Sequence, residues 1–431
     1  MKEEFLHFLW KNMVFNEFLL TTHGDPLVII RPGEVNHDAG PDFINSRVRI
    51  GSTIWAGFVE IHVCSSDWYK HGHQFDEKYD NIILHVVYQN DEEIYRSSGE
   101  PIPTLELLTH INKEVYQKYA AFLKSRGWIP CANLINRVDT TVISDWLGEL
   151  AEKRMRKKAA RIEKTLVLNN QDWEQATYQL VASGFGFKLN TLPFELLAKS
   201  LPCHYLKRHK NDPEQTEALL FGQAGLLSGT FRESYPNMLK KEYLHLKRSY
   251  NLHPIRGHLW NFLRLRPSNF PTIRLSQFAN LIVQAKSLHK EILRITNTKE
   301  IHRFLDIQCS PYWESHYMFD APSRKKNKKM GRQSIELLTI NTIIPILYAY
   351  GKLKNVHECI TQSRILLAGL PPEKNNITRK FEEAGVRVGN ASGSQGLLYL
   401  KSEFCDQKKC LDCPIGQSLC CPDRQGPQPP A

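Results

Sequence analysis

The sequence lacks the features of a membrane or secreted protein. No apolar run reaches the ~18 residues that would span a membrane, and the charged, amphipathic segment that follows Met1 differs from a secretory signal peptide. A phosphate loop of the form Gly-x-x-x-x-Gly-Lys-Ser/Thr is also missing. We therefore expect a cytoplasmic protein without a membrane partner and without a nucleoside triphosphate site.

A disulfide framework is also missing from the cysteine pattern. Five of the ten cysteines lie far apart along the chain, and the other five crowd into the C-terminal tail. Disulfides of secreted proteins are usually spread through a small chain. Lone thiols with one dense cluster indicate instead a reducing compartment and a metal site.

The tail cysteines have the spacing of a metal-binding loop, Cys405-x4-Cys410-x2-Cys413-x6-Cys420. Such a segment can close around Zn²⁺ or around a [4Fe–4S] cluster. Structural zinc usually uses two Cys-x2-Cys knuckles, and only one occurs here. The single loop is similar to the iron–sulfur loops of some DNA glycosylases and nucleases, with a different spacing. The alternatives are Cys421 in place of Cys420, three cysteines with an outside ligand, or simply reduced thiols.

Size and charge favour a multidomain protein that binds a polyanion. A chain of 431 residues with 42 % apolar side chains is expected to form two or three domains. Lys and Arg exceed Asp and Glu by 56 to 45. This excess favours a partner such as nucleic acid, although an ordinary basic surface is the simpler alternative.

The apolar periodicity changes along the chain. Strands are predicted at 26–30, 48–50, 55–63 and 81–88, with a partly helical stretch at 64–79, and helical spacing dominates after about residue 108. Predicted helices include 142–162, with Ser144 as its cap, and 275–296. We predict an α/β domain with a mixed sheet at 1–125, a mainly α-helical region at 126–400 and a Cys-rich tail at 401–431.

The best candidate for a catalytic site is an acidic cluster in the first domain. Side chains alternate between the two faces of a strand, so Glu60 and His62 share one face. Asp42 comes just before the neighbouring strand and can approach Glu60. A divalent cation would relieve the repulsion of the two carboxylates, and Mg²⁺ prefers such oxygen ligands. The alternative is the polar face of an amphipathic strand.

Pro41-Asp42 followed by Glu60-Ile61-His62 resembles the signature of PD-(D/E)XK nucleases. The resemblance implies a restriction-endonuclease-like fold, in which Asp42, Glu60 and the Ile61 carbonyl bind Mg²⁺ or Mn²⁺. Asp42, Glu60 and His62 would then be the catalytic residues. His62 occupies the position of the lysine, and histidine is often neutral near pH 7, so it replaces that charge only weakly.

Other polar residues surround this cluster in the sequence. Those of second rank are Asn36, Asp38, Asp67, His71 and His73. The His71-x-His73 pair can bind Zn²⁺ or another transition metal or contact substrate phosphates, and solvated loop histidines are the alternative. His37 lies on the same loop as Asp38, and His85 is expected to be a hydrogen-bonded core histidine.

Two basic stretches of the helical region are candidates for binding nucleic acid, with DNA preferred to RNA. The first is one face of a predicted helix, and the second flanks a Pro-containing loop; their residues are Arg154, Lys157, Lys158 and Arg161, then Arg264 and Arg266. Such cations can follow a phosphate backbone. A solvated helix face and internal salt bridges are the alternatives.

The chain as a whole resembles an uncharacterised bacterial family, domain of unknown function 2851. The similarity includes Asn36–Phe43, Val59–His62, Ser66–Trp68, Leu84–Val87 and Leu263–Pro271, and it ends in the cysteine tail. Together with the acidic cluster, it leaves two hypotheses. One is a metal-dependent nuclease that hydrolyses DNA phosphodiester bonds. The other is a catalytically inactive nucleic-acid-binding or scaffold protein with the same fold.

Overall fold

The structure is a computed structural model that describes residues 1–15, 18–36 and 38–421. His37 of the predicted acidic loop lies outside these ranges, as do residues 422–431 of the predicted tail.

A seven-stranded sheet and its flanking helices form the first part of the chain. In order, the elements are α1 (Glu3–Asn12), β1 (Leu19–Leu20), β2 (Pro26–Arg31), β3 (Glu34–Val35), β4 (Phe43–Ile50), β5 (Thr53–Cys64), α2 (Asp67–Lys70), β6 (Ile82–Gln89), β7 (Thr104–Glu106) and α3 (Lys113–Lys124). Short 3-10 turns cover His73–Phe75, Glu77–Tyr79 and Ile135–Arg137.

Helices dominate the rest of the chain. They are α4 (Thr140–Leu168), α5 (Trp173–Phe185), α6 (Thr191–Ser200), α7 (Cys203–His209), α8 (Pro213–Gln223), α9 (Ser234–Tyr250), α10 (Pro271–Gln284), α11 (Leu288–Arg294), α12 (Thr298–Phe304), α13 (Arg332–Leu338), α14 (Ile344–Leu353), α15 (His357–Gly369), α16 (Asn376–Glu383), α17 (Ala391–Tyr399) and α18 (Pro414–Cys420). A small hairpin of β8 (His316–Met318) and β9 (Ala321–Pro322) precedes α13. The segments Thr339–Ile343 and Leu400–Cys405 are π-helical.

The sheet combines antiparallel and parallel pairing. β2, β4 and β5 form an antiparallel meander, β6 pairs with β5 in parallel, and β7 pairs with β6 in parallel. A parallel neighbour requires a crossover connection, which α2 and the two following 3-10 turns provide. β6 is buried along most of its length, as its nearly all-apolar sequence predicts.

The internal contacts divide the chain into two units. One unit comprises Met1–Ile143 and the chain from Ser402 onwards, and the other comprises Ser144–Lys401. The C-terminal segment belongs with the first unit because α18 contacts α3 and the turn Ile135–Arg137. The predicted separate tail is thus part of the unit that contains the sheet.

Most of the predicted strands are confirmed, while two predicted helices differ from the structure. Ser144 lies inside α4, and the cap is instead Asp139, whose Oδ1 accepts a hydrogen bond from the Thr141 N–H at 2.7 Å. The predicted helix 275–296 is interrupted between α10 and α11. There the Ser287 side chain accepts a hydrogen bond from the Lys290 N–H and caps α11, which explains the interruption locally.

The helical unit is built around an apolar core whose largest fully buried side chains include Trp313, Tyr178 and Tyr348. One helical stretch of the described chain, Arg332–Leu353, is long and apolar enough to cross a membrane by length and composition alone. In its most apolar stretch, 67 % of the residues are buried inside the protein. Packing in the core therefore accounts for its composition.

Two glycines with positive φ differ in the space around them. Gly24 (φ +88°) faces open space, whereas a Cβ on Gly33 (φ +93°) would lie 2.6 Å from the Ile44 carbonyl oxygen and would also meet Ser46. Close approach to β4 therefore requires glycine at position 33. It is not required at position 24, where only the backbone conformation disfavours other residues.

We expect Gly33→Ala to destabilise the protein more than Gly24→Ala. Backbone strain should lower the free energy of unfolding by about 1 kcal/mol in both variants, and the clash with β4 should cost Gly33→Ala about 1–3 kcal/mol more. Chemical denaturation of the two variants measures the difference. Equal losses would contradict the close packing of Gly33 against β4.

Candidate metal centre

Asp42 and Glu60 meet where the loop before β4 reaches β5. The backbone N–H of Asp42 donates to Glu60 Oε2 at 3.0 Å, and the N–H of Ile61 donates to Asp42 Oδ2 at 3.0 Å. The two carboxylates thus approach each other as the hairpin geometry predicts. Burial raises the pKa of Glu60 above its ordinary value; the charge of Asp42 adds to this rise, although a hydrogen bond from His73 opposes it.

The loop before Asp42 is held by Asn36. The Asn36 side-chain amide donates to the Pro41 carbonyl at 2.9 Å, and the Asn36 N–H donates to the Asp42 carbonyl at 2.8 Å. The Asn36 Oδ1 in turn accepts from the N–H of Asp38 at 3.0 Å. Of the second-rank candidates on this loop, Asn36 therefore positions the Asp42 backbone, and the Asp38 backbone supports Asn36.

Two imidazoles contact the buried carboxylate of Glu60, and a third lies beside them. His62 Nε2 lies 3.6 Å from Glu60 Oε1, and His73 Nε2 lies 3.3 Å from the same oxygen. His71 Nδ1 lies 3.1 Å from His62 Nε2. Ligand atoms of the three histidines all lie within 4.8 Å of one another. Glu60 and His62 share a strand face as predicted, and this face is buried rather than solvated.

The segment after β5 brings His71 and His73 to this face. Asp67 begins α2, and its Oδ2 accepts from the Cys64 N–H at 3.1 Å while its Oδ1 pairs with Lys70 at 2.7 Å. Gly72 then adopts a φ of +75°, a conformation that glycine enters easily. Asp67 thus fixes the turn that positions the two histidines.

His62 is held as a neutral side chain. Its Nδ1 lies 2.8 Å from Nε2 of His85, which is fully buried. Burial, reinforced by the neighbouring His73 and His71, lowers the pKa of His62 to about 4. Burial also lowers the pKa of His85 far below its usual value. At neutral pH the Nε2 of His62 faces the centre without the positive charge of a lysine.

Two aromatic side chains close the histidine cluster. The ring of Tyr79 stacks on His73 with 3.9 Å between centroids, and the buried Trp68 contacts His73 and His85 edge-on. These apolar walls strengthen electrostatic interactions inside the cluster by excluding water. Burial raises the pKa of Tyr79 to about 12, with the charges of Glu60 and Asp42 adding to the shift.

A second group of potential ligands lies on the other side of Asp42. Glu3, His7 and Asp42 have ligand atoms within 4.8 Å of one another, and His7 Nε2 lies 3.2 Å from Asp42 Oδ2. Burial lowers the pKa of His7, but the contact with Asp42 and the charges of Asp42, Glu3 and Glu60 together leave the pKa raised. Glu3 and His7 are not among the residues predicted from the sequence, although their i, i+4 spacing in an amphipathic segment is a usable signal.

The side chains of the centre fit a transition-metal ion. Zn²⁺ binds imidazole nitrogen and carboxylate oxygen at about 2.0–2.2 Å, so atoms within 4.8 Å of one another can surround one ion. Mg²⁺ prefers oxygen ligands alone, whereas imidazole suits transition metals. Three imidazoles beside Glu60 therefore favour an ion such as Mn²⁺ over Mg²⁺. The Ile61 backbone contributes its N–H to Asp42.

The predicted basic stretches lie in the helical unit and divide into two kinds of residue. Arg154 Nε and Lys158 Nζ both donate to Gln395 Oε1, at 2.8 and 3.0 Å, and Lys158 Nζ also donates to Asn341 Oδ1 at 3.0 Å. Burial lowers the pKa of Lys158 to about 7. By contrast, the side chains of Lys157, Arg161, Arg264 and Arg266 are exposed.

Fold and site define a class: a protein with a mixed sheet that carries a buried centre of histidines and carboxylates, joined to a helical unit. The chain belongs to the family described as Protein of unknown function (DUF2851), whose model matches residues 3–376. The match includes every residue of the candidate centre and ends before the tail cysteines. No curated protein and no solved structure matches the chain significantly.

We expect the centre to bind Mn²⁺ through its imidazoles. Replacing His71 or His73 by Ala should weaken Mn²⁺ binding by ~10-fold or more, because even indirect support of a metal ligand is worth that much. His23→Ala is the matched control, since His23 is exposed and pairs with Glu93. Titration calorimetry with Mn²⁺ measures the affinities, and an equal affinity in all variants would contradict the assignment.

Proposed function

We propose that the protein is a metal-dependent nuclease that hydrolyses phosphodiester bonds of DNA, and that its sheet unit has a restriction-endonuclease-like fold. The observation that carries the proposal is the pair of reciprocal hydrogen bonds that joins Asp42 to Glu60 and Ile61. They bring together the two carboxylates that the PD-(D/E)XK signature requires. The order of elements also agrees, with a helix, an antiparallel meander and a parallel strand after a crossover.

The proposed metal site is built on His71 and His73, with Glu60 in contact with His73 and with Asp42 beside Glu60. A divalent ion held there would polarise a phosphoryl oxygen and make a water molecule more acidic. Glu60 and Asp42 balance the charge of the ion. Because the site combines imidazoles with carboxylates, and Mn²⁺ is a transition metal that also accepts oxygen ligands, we propose Mn²⁺ as the working ion, with Mg²⁺ as the weaker cofactor.

The proposed role of His62 is to accept a proton from the attacking water. Its pKa of about 4 leaves the imidazole neutral and able to accept a proton at pH 7. The contact of Nδ1 with His85 directs Nε2 to the centre. His62 therefore occupies the lysine position of the signature but acts differently. It supplies a lone pair that accepts a proton, whereas the lysine supplies a positive charge.

One observation favours the alternative of a catalytically inactive nucleic-acid-binding protein. His62 is only 1 % exposed and is engaged by both His85 and His71. A side chain held in this way is less able to reach a substrate than a flexible lysine would be. The two functions share the fold and the binding of DNA and differ in the cleavage step.

We expect metal-dependent cleavage that is lost with the carboxylates. Glu60→Gln and Asp42→Asn should each lower the rate of DNA cleavage in Mn²⁺ by ~100-fold or more. Loss of a residue that only supports a metal ligand already costs up to ~100-fold. Glu93→Gln, which changes an exposed carboxylate of the same unit, should retain activity. The assay uses labelled single- and double-stranded DNA with and without chelator.

Undiminished cleavage by Glu60→Gln would overturn the assignment of the site. Absence of cleavage by the wild-type protein with every DNA and divalent ion, combined with salt-sensitive binding of DNA, would favour the inactive alternative.

The exposed cations of the helical unit are the proposed contacts to the DNA backbone. Arg161→Ala should weaken DNA binding and reduce the slope of its salt dependence by about one released ion. Lys158→Gln should leave that slope unchanged, because Lys158 already donates to Gln395 and Asn341. Fluorescence anisotropy over a range of salt concentrations measures both, and identical slopes for the two variants would contradict this division.

A further inference from the structure

Cysteines from two distant parts of the sequence converge in the first unit. Helix α18 ends at Cys420 and contacts both α3 and the 3-10 turn Ile135–Arg137. Cys131 lies at the start of the loop that leads into this turn, and its carbonyl accepts from the N–H groups of Leu134 and Ile135, each at 2.9 Å. The segment around Cys131 therefore borders the C-terminal segment.

Four cysteines are buried at this place. The exposed fractions are 8 % for Cys131, 8 % for Cys410, 7 % for Cys413 and 0 % for Cys420. Cys405 and Cys421, which flank them in the sequence, are only partly buried. The buried set at this place is therefore Cys131, Cys410, Cys413 and Cys420. It contains Cys131 where the spacing of the tail predicts Cys405.

The four thiols act on one another electrostatically. Cys413 and Cys410 lie close enough to Cys131 for their charges to act on its thiol. Cys413 and Cys420 act in the same way on the thiol of Cys410. Cys131 also acts on Cys420. Neutral thiols gain little from such crowding, whereas a bound metal deprotonates its thiol ligands and offsets their charge.

The backbone between Cys410 and Cys420 is shaped to hold these thiols in place. A Cβ on Gly416 would lie 2.9 Å from the Cys410 carbonyl carbon, so glycine allows α18 to approach the Cys410 loop closely. The Gln417 side-chain amide donates to the Leu411 carbonyl at 2.5 Å, and the Gln417 N–H donates to the Cys413 carbonyl at 2.9 Å. The loop is thus fixed against the helix that carries Cys420.

The thiols are not gathered as tightly as the ligands of a single zinc ion. Tetrahedral zinc with Zn–S bonds of ~2.3 Å holds its sulfur atoms about 3.8 Å apart. Within residues 38–421, no three of these thiols lie within 4.8 Å of one another. A cube of iron and sulfide is larger than one ion and binds each of its four cysteines at a different corner.

We infer that Cys131, Cys410, Cys413 and Cys420 form a buried site for a [4Fe–4S] cluster, with Cys131 in place of Cys405 as the fourth ligand. The site links Cys131, in the N-terminal part of the sheet unit, to the C-terminal segment of the same unit. It does not depend on the proposed nuclease activity, because none of its cysteines belongs to the centre around Glu60.

The test is the metal content of the full-length protein, purified without oxygen and reconstituted with ferrous iron and sulfide. The wild-type protein should contain about four iron and four sulfide per chain and show the visible absorption of such a cluster. Cys131→Ser and Cys413→Ser should lose at least half of the iron. Cys405→Ser, and Cys203→Ser in the helical unit, should retain it, since Cys203 is buried elsewhere.

Three results would overturn the inference: wild-type protein without iron and sulfide, one zinc ion per chain in their place, or full iron in Cys131→Ser with loss in Cys405→Ser. If Cys131→Ser is insoluble, the inference is tested by measuring which cysteines of the wild-type protein are alkylated before and after iron chelation. Chelation should expose the four ligand cysteines and leave Cys203 unchanged. Equal protection of Cys131 in both states would also overturn the inference.

Discussion

The N–H of Asp42 binds the Glu60 carboxylate, and the Asp42 carboxylate binds the N–H of Ile61, each at 3.0 Å. These two bonds fix the start of β4 against the middle of β5 and satisfy acceptors that would otherwise be costly to bury. With Glu60 held by one oxygen, its second oxygen is directed to His62 and His73. The contacts of His62 and His73 with the Glu60 carboxylate therefore depend on this arrangement.

The histidine centre and the cysteine cluster present the same physical problem. Each gathers ionisable side chains in a place where burial disfavours their charged forms, as the pKa shifts of His62 and Cys131 show. Such groupings weaken a fold unless something compensates them. Metal coordination would compensate both, through neutral nitrogen and an acidic oxygen in one place and through thiolates in the other.

Local pattern was sufficient to predict the sheet strands and the pairing of Asp42 with Glu60. Strand alternation put Glu60 and His62 on one face, and a short hairpin brought Asp42 to them. Cys131 could not be found in this way, because α3 and α18 meet through tertiary packing that has no sequence period. Lys158 shows the opposite failure. Helical spacing predicts an exposed cation there, but the side chain donates a hydrogen bond to Gln395 inside the helical unit.

The order of the chain has a consequence for synthesis. The helical unit, Ser144–Lys401, is an insertion between two parts of the sheet unit. On the ribosome, the surface of α3 that receives α18 must therefore remain uncovered while the whole inserted unit is made and folds. Closing so long a loop is slow. The segment that carries α18 can cover this surface only after the inserted unit has been translated.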